Sequence, residues 1–160
     1  MKAEKECSFL HVNKCEIEFP DDVDMYTDPV YERARDNLCK FVEKGWLVKD
    51  DTARLYIYAQ KMWEHTQYGI VALSSVEDYA ADRIKKHELT RKKKEVDRTK
   101  ITDIQNANIG PVFLTYPNNE AIDLKVKDIV LNQEPYSKVL CDDQVEHTVS
   151  LTFSVFFIFW

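Results

Sequence analysis

The sequence predicts an α+β fold in a single compact domain, with an antiparallel hairpin and several helices. Three observations lead there. Segment 29–44 carries apolar residues at helical spacing between start and stop signals. Two Tyr-, Ile- and Val-rich runs, 54–62 and 67–75, flank a short link. At 44% hydrophobic residues in 160, the chain can bury a core, and its scarce Gly and Pro exclude fibrous and low-complexity readings.

Taken in order, 8-SFLHVNKCEIEFP-20 alternates loosely before Pro20 and is expected as a strand or extended arm. The acidic run 21–28 reads as a turn region. In the helix 29–44, Asp28 is the expected cap, Pro29 suits the first position and Gly45 the position just past the end. Tyr31, Ala34, Leu38, Phe41 and Val42 give it one apolar face. The runs 54-RLYIYAQKM-62 and 67-QYGIVALSS-75 are expected to pair through the link Trp63 to Thr66. Tyr56, Tyr58, Trp63 and Tyr68 on this hairpin could stack bases, but ordinary cross-strand packing explains them more simply.

Ser75 followed by Glu77 and Asp78 predicts a short helix over 76–84. Segment 91–107 favours helix with a sparse apolar face of Val96, Ile101 and Ile104, ended by Gly110-Pro111. A buried strand is expected at 112-VFLTY-116. Asn118 or Asn119 is expected to cap a helix over 119–131, with Ala121, Ile122, Val126, Ile129 and Val130 inward. Strands at 137–142 and 145–153 complete the reading.

The formal net charge of −6 argues against general coating of nucleic acid. The first ten residues are charged and carry no secretory pattern, so a cytoplasmic location is expected, with Cys7, Cys15, Cys39 and Cys141 as free thiols. No C-x-x-C spacing suggests a metal, and no membrane partner is expected. The end of the chain, 149-VSLTFSVFFIFW-160, is apolar but shorter than the roughly 20 residues a spanning helix needs. It reads as a strand able to self-associate.

The positive charge is concentrated in 83-RIKKHELTRKKKEVDRTK-100. Two readings stay open. One is a solvated helix face with pairs such as Lys92–Glu95 and Lys93–Asp97. The other is capture of an anionic small molecule or nucleotide. In that reading Thr90 caps a helix whose free N–H groups face the anion, and Lys85, Lys86 and Arg91 add charge. His87 and Glu88 lie inside the run as candidate catalytic groups. No Gly-rich phosphate loop, G-x-S-x-G or H-E-x-x-H motif is present.

Four phrases, 8-SFLHVNK-14, 54-RLYIYAQKM-62, 84-IKKHELTRKKKEVDR-98 and 106-NANIGPVFLTYP-117, together resemble a bacterial and archaeal family known as domain of unknown function 1015. The resemblance runs from about residue 8 to about residue 148, leaving 149–160 outside it. It implies a cytoplasmic protein, in members more than twice this length. They carry a later Asp-Gly-His-His-Arg motif like that of ParB-fold kinases acting on free serine. On that analogy Glu88, beside His87, takes a hydroxyl proton, and ADP or ATP with Mg²⁺ is the expected cofactor. The chain departs from the pattern at Cys15, where Pro is usual, in its extra basic Lys92-Lys93-Lys94, and in lacking the later motif. The resemblance therefore implies an N-terminal part inactive alone, with a nucleic-acid module or a non-catalytic interaction domain as alternatives.

Overall fold

A computed structural model describes residues 5–86 and 90–152. The α+β class holds. The elements are α1 (Leu10–Asn13), α2 (Asp28–Glu43), β1 (Tyr56–Met62), β2 (His65–Val71), α3 (Val76–Ala80), α4 (Lys92–Gln105), α5 (Glu120–Asn132), β3 (Ser137–Leu140) and β4 (Glu146–Leu151). They form two compact units. A helical unit takes Met1–Lys49 with Lys86–Leu114, and a sheet unit takes Asp50–Lys85 with Thr115–Trp160. Among the described residues no helix is long and apolar enough to cross a membrane.

The helical unit is built on α2. Its Val30, Tyr31, Ala34 and Phe41 are buried, at helical spacing. Tyr31 and Ala34 join Cys15, Val30 and Ile101 of α4 in one core cluster. Gly45 ends α2 in the left-handed region at φ +70°. Its N–H donates to the Val42 carbonyl, and the Trp46 N–H donates to the Phe41 carbonyl. That pair of bonds satisfies two orphan carbonyls, and Gly takes the conformation without a Cβ penalty. The helix start differs from expectation: Thr27, with no side-chain cap bond, precedes Asp28, which is already helical.

The expected arm at 8–20 is instead helical, as α1 and a 3-10 turn over Cys15–Glu18. Val12 and Cys15, three apart and both buried, explain why: helical spacing places them on one side. The loose alternation was too short to outweigh that burial. The Cys15 thiol donates to the Val30 carbonyl at 2.9 Å. All four cysteines are free, with Cys7 and Cys39 exposed.

The sheet unit holds a four-stranded antiparallel sheet of order β2-β1-β4-β3. The β1–β2 link is two residues rather than four, because Met62 pairs with His65 and draws Thr66 into β2. Trp63 in the turn has φ +53°. The expected strand at 112–116 does not form; Val112 and Phe113 are 85% and 77% exposed. High β-propensity without a partner strand does not make a sheet. Helix α3 is shorter than expected, but Ser75 caps it, accepting from the Asp78 N–H. Asn119 caps α5, accepting from the Ala121 and Ile122 N–H groups. Ile129 is buried on α5, whereas the expected inward Ala121 is exposed.

Candidate functional site

The basic segment straddles the boundary of the two units. In the sheet unit, Lys85 pairs with Asp82 at 2.7 Å and Arg83 with Asp78. Lys86, Thr90 and Arg91 belong to the helical unit, and all three are exposed. His87 and Glu88, the candidate catalytic pair, lie outside the described residues.

Thr90 is not the helix cap. Arg91 takes that position, in extended conformation and without a side-chain cap bond. The first turn of α4 then reads Lys92, Lys93, Lys94, Glu95. Lys92 pairs with Glu95 at 3.4 Å, as the spacing predicts, although its side chain is 80% exposed. Such an exposed pair contributes little to stability. The expected Lys93–Asp97 pair is absent from the described ion pairs. Lys93 instead lies 4.1 Å from the centre of the Tyr26 ring, and Lys94 stands 5.7 Å from it, with Nζ 3.3 Å from the Tyr26 hydroxyl. Tyr26 thus gathers two ammonium groups beside the start of α4.

Asp97 has a different role. It is 4% exposed and accepts the Tyr31 hydroxyl of α2 at 3.0 Å. The neighbouring Arg98 guanidinium donates to its other oxygen at 3.2 and 3.1 Å. Lys100 reaches back to Asp28 at 2.5 Å and lies 4.6 Å from the centre of the Tyr31 ring. Near the other end of α4, the buried Gln105 amide donates to the Val12 and Ala34 carbonyls, each at 3.0 Å. Burial, then the Asp97 contact, pushes the Tyr31 hydroxyl up to about 12. Burial pushes the Cys15 thiol up to about 11.

Helix α4 is therefore fixed on α2 by a stripe of Asp97, Ile101 and Gln105, spaced by four. The sequence reading missed it because two of its three members are polar. It named Val96 instead, which is 53% exposed. A helical-period test that admitted polar residues able to bond inward would have found the stripe.

Among the described residues, no group of three or more His, Cys, Asp or Glu could hold a metal ion. The described acids of the basic segment do not fit Mg²⁺ either. Glu95 is paired with Lys92, and Asp97 is buried against Tyr31 and Arg98. The aromatic residues of the hairpin do not form a stacking row. Tyr58 and Tyr68 fall on opposite faces of the sheet by register, and Tyr58 instead stacks on His147 at 5.9 Å, its hydroxyl 2.6 Å from Nδ1.

Over residues 1–152 the chain matches the model of a family described as protein of unknown function (DUF1015). The chain belongs to this family. No curated protein and no solved structure matches it. The family match runs across both units and includes the whole basic segment.

Proposed function

We propose that this DUF1015 chain binds a small phosphate-bearing anion through the basic segment, with Lys85, Lys86, Thr90 and Arg91 as contacts. In the finer form of this reading it is part of a cytoplasmic, kinase-like protein acting on a serine-type amino acid. There Glu88 accepts the hydroxyl proton and His87 stands beside it. One observation carries the reading: α4 begins without a side-chain cap and opens with four consecutive cations, Arg91 to Lys94. The helix dipole disfavours cations there by about 0.3–1 kcal/mol each, whereas an anion is favoured by the same field and by the free N–H groups. Local preference and sequence conflict, and an anionic ligand resolves the conflict.

Phosphoryl transfer rests mainly on positioning and charge stabilisation. Lysines and an arginine supply the charge; no step is assigned to a metal. Calorimetric titration with phosphoserine and with ADP tests the binding. Saturable heat is expected, with affinity lowered several-fold in Lys86→Ala and Arg91→Ala. No heat, or heat unchanged in both variants, refutes the reading. The catalytic form is tested by turnover of a longer family member carrying the change that corresponds to Glu88→Gln.

A further inference from the structure

The sheet unit contains a groove of about 300 Å³. One wall is the sheet face that carries Ile57, Ala59 and Lys61; Val130 of α5 and the following Gln133 and Pro135 form another. Its floor is apolar at Ile57 and Ala59, both buried. Around that floor stand four hydroxyls, those of Thr66, Tyr68, Thr148 and Ser150. None of the four has a side-chain hydrogen-bond partner among the described residues. Ser150 is the most enclosed of the four at 4% exposed, and its hydroxyl keeps contact with solvent in the groove. Open to solvent and unbonded within the protein, the four form a hydrogen-bonding array along one surface that a polar ligand can take over from water.

The charges narrow the ligand. Register places Lys61 directly between Thr66 and Glu146 on neighbouring strands. Strands lie about 4.8 Å apart, so the three residues stand in one row roughly 10 Å across at the backbone. Glu146 is already neutralised by Lys138 at 2.9 Å. Lys61 has no ion-pair partner among the described residues. The groove thus offers one uncompensated cation, several hydroxyls and an apolar floor.

We propose that this groove binds a small hydroxylated carboxylate of the sugar-acid class. Lys61 meets the carboxylate, the hydroxyls of Thr66, Thr148 and Ser150 meet the polyol, and Ile57 and Ala59 lie under its carbon chain. A single lysine suits a carboxylate monoanion better than a phosphate dianion. An α-amino acid fits less well, because its ammonium would compete with Lys138 for Glu146. The groove lies within the sheet unit and is independent of the anion reading of the basic segment.

The test is calorimetric titration of the full chain with D-gluconate and D-glucuronate, with D-glucose and acetate as partial probes. The sugar acids are expected to give saturable heat, and glucose and acetate to bind at least about tenfold more weakly, because each lacks one half of the contact set. Lys61→Met is expected to lower sugar-acid affinity about tenfold or more, and Ser150→Ala several-fold. Circular dichroism checks that both variants fold, as expected since Lys61 is exposed and Ser150→Ala only removes an oxygen. The proposal is overturned by absence of heat with both sugar acids. Equal affinity for glucose or acetate overturns it too, as does unaltered affinity in the two folded variants.

Discussion

In the helical unit, buried Asp97 accepts the Tyr31 hydroxyl and the Arg98 guanidinium. In the sheet unit, equally buried Ser150 has no side-chain partner. The two residues have the same exposure and opposite bonding. Asp97, with Gln105, uses inward bonds to fix α4 on α2. Ser150, with Thr66, Tyr68 and Thr148, leaves its bonding capacity facing a groove. Buried polar groups bonded within the protein hold it in one arrangement; hydroxyls left open to a groove are available to a ligand.

The largest contrast is expected in thiol chemistry. Cys15 is buried in the helical unit, its thiol bonded to Val30 and pushed up to about 11, while Cys7 and Cys39 are exposed. At pH 8 a maleimide should label Cys15 more than about a hundredfold more slowly than Cys7 and Cys39. Mass spectrometry of a time course reads the three sites separately. Equal rates would mean that the helical core is open.

Asp97→Ala comes next. It strands the Tyr31 hydroxyl and is expected to cost about 3 kcal/mol in urea unfolding, with Tyr31→Phe costing about 1 kcal/mol. A cost for Asp97→Ala below about 0.5 kcal/mol would remove the lock from the comparison. The same bond predicts an alkaline effect. The folded Tyr31 hydroxyl titrates above its ordinary value, so the folded state holds a proton that the unfolded state has lost. This contribution is intact below about pH 10 and lost as pH rises toward 12. Wild type should therefore lose more stability across that window than Tyr31→Phe.

Two helix ends follow. Gly45→Ala, at φ +70°, should cost about 1 kcal/mol at the end of α2 in the helical unit. Asn119→Ala should cost a similar amount, about 1 kcal/mol, at the start of α5 in the sheet unit, through loss of the bonds from Ala121 and Ile122. These effects are local and should be alike, so a large difference between them would show that one unit unfolds separately.

Ser150→Ala should give the smallest change. Removing an unpartnered hydroxyl is expected to leave stability within about 0.5 kcal/mol of wild type, or to raise it slightly. A loss of more than about 1 kcal/mol would mean that the hydroxyl is engaged after all, and the contrast with Asp97 would fail.

The sequence by itself determined the elements whose cause is local. The apolar face and Gly45 of α2, the caps Ser75 and Asn119, and the Tyr- and Ile-rich hairpin each follow from residues close together in the chain. It also located the charge: the basic run and the Lys92–Glu95 pair are legible as written. Tertiary structure decided the rest, since pairing and burial join residues distant in sequence. Tyr31 and Asp97 are 66 residues apart, so a local pattern reads Asp97 as a surface acid. The same holds for 112–116, where strand propensity found no partner, and for 8–20, where burial of Val12 and Cys15 selected helix. The groove is the extreme case. Its hydroxyls come from β1's two neighbours, β2 and β4, and only the sheet order β2-β1-β4-β3 places them around Lys61.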